Sequence, residues 1–298
     1  MLLGLAAKLE TAIKLNTGYI VTNVNQELIG NLVDVMLDFP EKPEGFTVIA
    51  AGPKLFKKVI LVSGGADSSI MWWLNRNEPN KLGLYVDLGH TYVDKELNAL
   101  QMFNIPFSVV KHPLKFDGDW KHIIPTRNFV LIAEAAEYVQ DGGEIWVGAV
   151  SGESSPDKGD KSDLFFDLVE QLIYNTTGKT VTIRTLKDKT KNDWLKQYLN
   201  ETNDLKILNT ITCFDGTTEK PCGKCQACLR KWISLLYCGI DTNGFFEVNP
   251  YFGGNEYVQK YKNKMRECLA TGIFEHYTKD RCEQDLKVIE DYERGLYV

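Results

Sequence analysis

Residues 59–70 read Val-Ile-Leu-Val-Ser-Gly-Gly-Ala-Asp-Ser-Ser-Ile and have the features of a phosphate-binding turn. The apolar run predicts a buried strand, and the apolar residues from Ile70 onward predict a helix directly after the turn. Two adjacent glycines let the backbone approach an anion closely, and the first turn of a helix presents unpaired N–H groups. Ser63, Ser68 and Ser69 add hydroxyl donors. The turn lacks the Gly-Lys-Ser/Thr ending of a Walker A loop, so it predicts a different class of phosphate site.

Four cysteines further along the chain have the spacing of a metal site. Cys213, Cys222, Cys225 and Cys228 form C-x8-C-x2-C-x2-C, and Gly223 frees the backbone to turn between them. Four thiolates satisfy tetrahedral Zn²⁺ and leave no position for water, so we predict a structural zinc site. An iron–sulfur cluster is the alternative, although nothing else in the sequence indicates electron transfer. The other cysteines are solitary in the sequence and are predicted to be packed or surface thiols: Cys238, Cys268 and Cys282.

The overall composition is that of a globular protein that does not attract nucleic acid. The 298 residues are 44% hydrophobic and 25% charged, with a formal net charge of −6. This acidic balance disfavours a nucleic-acid partner and favours a small-molecule substrate. No apolar run reaches the length of a membrane span, and four clustered thiols fit a reducing compartment. We therefore predict a cytoplasmic protein with no membrane partner.

The order of the apolar segments predicts an α/β fold. Strands are predicted over residues 57–62, 82–86, 107–110, 144–148 and 180–184, with a further strand at 46–50. Helices are predicted over residues 2–15, 94–103, 128–139 and 226–238, and two more within 255–298. Further helices are predicted to begin at residue 68, within residues 160–166, and at residue 190; the second of these ends at about residue 174. Asn128 and Thr190 are the predicted N-caps of their helices. Such alternation indicates an open, mainly parallel sheet with helices on both faces, which places the turn at 63–69 at the carboxyl edge of the sheet.

Two basic residues at predicted helix starts are candidate ligands for anions. Arg127 is poorly placed for the helix dipole, which indicates that its charge serves a ligand. Lys191 follows a predicted N-cap, and its ammonium group is a candidate contact for a phosphate or an adenylate.

Taken together, the turn and the cysteine spacing resemble the QueC family of 7-cyano-7-deazaguanine synthases in the PP-loop superfamily. Residues 125–128, Pro-Thr-Arg-Asn, are similar to the family's Pro-Gly-Arg-Asn turn, and residues 190–193 are similar to its Ser/Asn-Lys-Ala-Glu helix start. Gly148 falls where a glycine ends a strand in the family. The resemblance covers roughly residues 57–240.

This resemblance implies a reaction and a set of site residues. The substrates would be 7-carboxy-7-deazaguanine, ammonia and ATP with Mg²⁺, and adenylation of the acid and then of the amide would give the nitrile 7-cyano-7-deazaguanine (preQ0), with AMP and pyrophosphate released. The catalytic residues would be Asp67, Arg127 and Lys191. The family also suggests a homodimer. The nucleotide would be bound by Val62, Ser63, Gly64, Gly65, Asp67, Ser68, Ser69 and Asp87.

We accordingly divide the chain into three parts. Residues 1–56 are an N-terminal extension packed on the core, residues 57–208 are the ATP-binding domain, and residues 209–298 carry the zinc knuckle and a helical tail.

Two departures from the family pattern lie where the acceptor should bind. Residues 88–90, Leu-Gly-His, replace the family's Tyr-Gly-Gln, and residues 160–165 keep little of its Asp-Cys-Arg-x-Glu-Phe. Three alternatives therefore stay open. The first is an adenylating enzyme that stops at the amide or acts on another acceptor, such as a protein terminus. The second is a tRNA-modifying enzyme, and the third is a non-catalytic nucleotide-binding module. The Asp-x-Gly-His beginning at Asp87 is also similar to sulfonucleotide reductases, in which Cys268 or Cys282 would have to be the nucleophile.

Overall fold

The computed structural model describes residues 19–22, 48–51, 55–90, 92–112, 126–153, 159–213, 215, 218–275 and 277–297. The chain divides into two compact units, residues 1–55 and 56–298. In the first unit, strands β1 (Tyr19–Thr22) and β2 (Val48–Ala51) form a parallel pair. The second strand overlaps the strand predicted at 46–50, whereas the helix predicted at 2–15 lies outside the described residues. The packing of residues 1–56 on the core stays a prediction.

The second unit contains a five-stranded sheet in which every pairing is parallel. Its strands are β3 (Phe56–Leu61), β4 (Lys81–Asp87), β5 (Phe107–Lys111), β6 (Val139–Val150) and β7 (Val181–Leu186). The order across the sheet is β5-β4-β3-β6-β7. The chain leaves β3 toward one side and returns on the other, so a switch point lies between β3 and β6. Open α/β sheets bind ligands at the carboxyl ends of their strands at such a point. This topology confirms the predicted open parallel sheet.

Helices cover both faces of the sheet. They are α1 (Ala66–Leu74), α2 (Val93–Met102), α3 (Arg127–Tyr138), α4 (Asp163–Thr177), α5 (Lys191–Thr202), α6 (Gln226–Tyr237), α7 (Pro250–Gly253), α8 (Asn255–Thr271) and α9 (Lys279–Glu293). A 3₁₀ turn, Leu205–Asn209, follows α5. None of the helices in the described part of the chain is long and apolar enough to cross a membrane.

Alternating side chains of the central strand supply two hydrophobic cores. Val59 and Leu61 pack with residues of α3 and α4 on one face of the sheet. Ile60, and Val62 directly after the strand, pack on the other face with residues of α1, α5, α6 and α9. Each fully buried side chain of this kind contributes roughly 1.5–3 kcal/mol of hydrophobic free energy. The second core therefore joins the sheet to the cysteine-bearing segment and the tail, and the two tail helices are confirmed.

Side-chain caps fix several helix starts, and one predicted cap is wrong. The hydroxyl of Thr190 accepts a hydrogen bond from the N–H of Asp193, as the sequence predicts. Asn128, by contrast, is buried inside the first turn of α3, and its Nδ2 donates to the carbonyl oxygen of Asp160. Thr126 occupies the N-cap position and makes no side-chain cap. The side chain of Asn128 thus makes a tertiary hydrogen bond instead of the predicted N-cap.

Strand β6 differs from its predicted extent. It runs for 12 residues, Val139–Val150, whereas the apolar pattern predicted only residues 144–148. The strand begins directly after α3 with Val139, and the polar and glycine residues 140–144 follow, so hydrophobicity gives little sign of its first half. Its register with β7 shifts between Trp146 and Val150. This irregularity lies next to the loop that follows the sheet's carboxyl edge.

Candidate active site

The turn between β3 and α1 is built to expose backbone N–H groups. Gly64 has φ +65°, and a Cβ there would lie 2.6 Å from the carbonyl oxygen of Glu96, so the position requires glycine. The hydroxyls of Ser68 and Ser69 each donate to the carbonyl oxygen of Gly65 at 3.0 Å, which braces the turn. Gly65 is the N-cap of α1 and provides no side-chain acceptor for the first N–H groups of the helix. An anion can take those donors.

Asp67 is the acidic group beside this helix start. Its Oδ2 accepts a hydrogen bond from the Nζ of Lys191 at 3.1 Å. Its Oδ1 is buried and has no hydrogen-bond partner among the described residues. An unpartnered carboxylate oxygen beside a phosphate-type turn fits a divalent cation such as Mg²⁺, which prefers oxygen ligands.

A cleft of about 230 Å³ opens at the carboxyl edge of the sheet and brings together most of the sequence-predicted residues. Its lining includes Val62, Ser63, Gly65, Asp67, Ser68, Arg127 and Lys191. Three predicted residues lie outside this lining. Gly64 packs against α2, Ser69 is buried in the turn, and Asp87 accepts the N–H of Gly89 at 2.8 Å through its Oδ1. Asp87 therefore shapes the loop after β4.

A cluster of polar side chains around His90 lines the same cleft, and its members other than His90 were not predicted from the sequence. The Nε2 of His90 lies 2.9 Å from Oε2 of Glu96, and the hydroxyl of Tyr85 donates to that oxygen at 2.8 Å. Burial first, and then the charge of Glu96, raises the pKa of Tyr85 far above its usual range, so this hydroxyl stays protonated. The ring of Tyr92 packs at a tilt against that of His90, with the ring centroids 4.2 Å apart. In the sequence only His90 indicated this cluster, because the residues that surround it are spread over positions 85–96 and form no motif.

The four cysteines of the predicted metal site meet in space. The Sγ atoms of Cys213, Cys222, Cys225 and Cys228 all lie within 4.8 Å of one another. Backbone N–H groups donate to these sulfurs, including that of Cys222 to Cys213 at 3.3 Å and that of Cys228 to Cys225 at 3.4 Å. Contact with Cys225 and burial raise the pKa of Cys213 to about 11, so a bound cation would favour the thiolate form of this residue. The donor set fits Zn²⁺.

The remaining cysteines lie outside the cluster. Cys268 and Cys282 are both buried free thiols, which confirms their prediction as packed thiols. Burial first raises the pKa of Cys282 to about 12. A buried thiol that resists ionisation does not fit the exposed nucleophile that a sulfonucleotide reductase requires. Cys238 is partly buried, which agrees with its prediction as a packed thiol.

Comparison with known proteins identifies the central part of this chain. The family model of the queuosine biosynthesis protein QueC matches residues 105–235, less than half of the chain. The matched segment includes Arg127, Lys191 and the four clustered cysteines, and it begins after the turn at 63–69. A search of curated proteins finds no match. The parallel sheet, the phosphate-type turn at its switch point and the four-cysteine cluster agree with the family match. Residues 105–235 therefore form a domain of the QueC family, which is a family of PP-loop ATP pyrophosphatases.

Proposed function

We propose that this chain converts 7-carboxy-7-deazaguanine and ammonia to 7-cyano-7-deazaguanine at the expense of ATP. The acid is adenylated, ammonia displaces AMP to give the amide, and adenylation of the amide followed by loss of AMP gives the nitrile. One observation carries the proposal. In a chain with a QueC family domain, Asp67, Lys191 and Arg127 line a single cleft beside the phosphate-type turn.

The chemistry asks the protein mainly for positioning and charge neutralisation. A carboxylate or amide oxygen is a poor leaving group, whereas AMP is a good one, so adenylation supplies the driving force. The N–H groups at the start of α1 and the cations of Lys191 and Arg127 would stabilise the phosphate charge that develops. Asp67 would hold Mg²⁺, which neutralises phosphate charge when bound. The described lining of the cleft offers no cysteine as a covalent nucleophile, which agrees with ammonia in that role.

The four-cysteine cluster would hold a structural Zn²⁺. Cys225 caps α6, and α6 packs its buried face, including Trp232, into the core that also contains residues of α1. A zinc site at the start of α6 would therefore stabilise the helix that supports the cleft.

The direct test is to measure which products ATP yields. With 7-carboxy-7-deazaguanine and ammonium, we expect AMP and pyrophosphate, with the nitrile identified by mass spectrometry. Lys191→Met should lower turnover about a hundredfold or more, because it removes a cation from the phosphates. Lys189→Met is the matched control, since Lys189 lies two residues away and its Nζ bonds Gln197. ADP and phosphate as products would refute the proposal.

The alternative is a related adenylating enzyme that stops at the amide or acts on another acceptor. It is favoured by the position of His90, which lines the cleft in the segment that departs from the family pattern. An amide as the final product would support the first form. ATP turnover that does not depend on 7-carboxy-7-deazaguanine, or no ATP turnover in its presence, would support an enzyme that acts on another acceptor, including a protein or a tRNA.

A further inference from the structure

A second cavity of about 170 Å³ adjoins the cleft. Both are lined by Lys191 and Thr212, so a molecule in the second cavity can present a group to the nucleotide site. Its lining is polar and charged, and it includes Glu153, Arg230 and Arg281. None of these three residues belongs to a sequence motif with a predicted role.

Glu153 is a hydrogen-bond acceptor that stays ionised. Its side chain is 11% exposed, and Lys161 Nζ lies 2.5 Å from its Oε2. Burial opposes ionisation, but the charges of Lys161, Arg230 and Lys191 outweigh it and hold the pKa of Glu153 to about 2. A carboxylate has more lone pairs than Lys161 and the N–H of Val150 occupy, so it can accept further N–H groups.

Arg230 places donors next to this acceptor. It lies on α6, and its Nη1 is 3.7 Å from Oε1 of Glu153, which is beyond hydrogen-bond distance. Its side chain is 38% exposed. The cavity wall therefore carries a guanidinium donor beside a carboxylate acceptor. This pair is complementary to a ligand that has an oxygen acceptor next to N–H donors along one edge, because the oxygen can face Arg230 while the N–H groups face Glu153.

The tail helix α9 positions this wall, although it lies outside the segment matched by the family model. Arg281 is buried and donates to the carbonyl oxygen of Gly152, next to Glu153. A Cβ on Gly152 would lie 2.8 Å from Cδ of Arg281, so the two segments pack closely. Asp285 accepts the Nδ2 of Asn192 at 2.8 Å, next to Lys191. The helix thus connects the loop of Glu153 to the start of α5.

We propose that Glu153 and Arg230 determine which acceptor acid is used, by reading the edge of a fused pyrimidinone ring. The Glu153 carboxylate accepts the ring N–H and the exocyclic amino group, and Arg230 donates to the ring carbonyl oxygen. The carboxylate to be adenylated then lies toward Lys191. This inference rests on the proposed function, because it concerns the acceptor of that reaction.

The test is direct binding of two acids to the full chain, measured by calorimetry without ATP. The acids are 7-carboxy-7-deazaguanine and its analogue without the exocyclic amino group. The unmodified protein should bind the analogue roughly 10- to 100-fold more weakly, because the carboxylate loses a partner. Glu153→Gln should reduce this ratio to below about threefold. Arg230→Gln should weaken binding of both acids about tenfold and leave their ratio unchanged.

A matched variant and a second readout separate the inference from its alternatives. Arg266→Gln removes an exposed arginine of α8 that pairs with Glu290, and it should change neither affinity. A full discrimination ratio in Glu153→Gln, or unchanged affinities in Arg230→Gln, would overturn the inference. Should Glu153→Gln not fold, as judged by its thermal transition, Arg230→Gln and Arg230→Lys decide the question. Arg230→Lys should recover part of the affinity, and failure to exceed Arg230→Gln would count against donation to a ring oxygen.

Isotope exchange between ATP and pyrophosphate distinguishes failure of the proposed function from failure of this inference. Binding with discrimination but no acid-dependent exchange would overturn the proposed reaction and support the assigned pair. Acid-dependent exchange with equal affinity for the two acids would support the reaction and overturn the assignment of Glu153.

Discussion

Replacement of Gly223 by alanine should open the four-cysteine cluster. Gly223 lies between Cys222 and Cys225 and has φ +70°, a conformation that L side chains rarely adopt. A Cβ at this position would lie 1.6 Å from the carbonyl oxygen of Val248. That contact would have to lengthen to about 3.0 Å, so the two backbone segments must separate by about 1.4 Å.

The magnitude follows from two costs. The left-handed conformation costs an alanine about 1–2 kcal/mol relative to glycine. Separation of the segments also strains the hydrogen bond from the N–H of Glu247 to the carbonyl oxygen of Pro221, now 2.9 Å. Glu247 is exposed, so loss of that bond adds about 0.5–1.5 kcal/mol. The sum is about 1.5–3.5 kcal/mol of unfolding free energy. Gly239→Ala is the control, since Gly239 has φ +73° and open space around its Cβ position, and it should lose only the first cost.

The assay is urea unfolding of both variants, with zinc content measured by mass spectrometry of the metal. We expect Gly223→Ala to lose more stability than Gly239→Ala and to retain substoichiometric zinc, while the control retains the zinc content of the unmodified protein. Equal stability losses with full zinc in both variants would refute the reasoning, because the clash with Val248 would then have no energetic consequence.

Three further predictions concern the metal site, the cleft and acid stability. Cys225→Ser should release zinc and lower the thermal transition, whereas Cys238→Ser, outside the cluster, should leave the zinc content unchanged; metal analysis after gel filtration decides between them. Asp67→Asn should raise the Mg²⁺ concentration needed for half-maximal turnover at least tenfold, measured by magnesium titration, and an unchanged requirement would remove Asp67 as a ligand. The low folded-state pKa of Glu153 stabilises the fold fully above about pH 4.5, and this contribution is lost as pH falls toward about 2. This contribution is at most about 3 kcal/mol of unfolding free energy. In denaturant titrations, Glu153→Gln should therefore reduce the loss of unfolding free energy between pH 5 and pH 2. An unchanged loss over this range would contradict the ion pair with Lys161.

The local sequence pattern was sufficient to predict those elements whose conformation depends mainly on residues close to one another in the sequence. Alternation of strands and helices predicted the parallel sheet, and the glycines and serines of residues 63–69 predicted a turn at its carboxyl edge. The spacing of the cysteines predicted their convergence, which the structure confirms. Thr190 is another such case, since an N-cap needs only the N–H three residues ahead.

Local pattern failed where a distant residue competes for the same side chain. Asn128 is a good N-cap by type, but its amide bonds Asp160 instead. The polar first half of β6 is held by pairing with its neighbours, so hydrophobicity could not reveal it.

The sequence by itself determined the chemistry available to this protein: a phosphate-type turn, a four-thiolate donor set and a family resemblance that covers the segment between them. Only the tertiary structure decided which charges meet. Lys191 reaches Asp67 across 124 residues of sequence, and Arg281 reaches Gly152 across 129. No periodicity or spacing encodes such contacts, because they depend on how the sheet order and the packing of α9 bring distant segments to one edge.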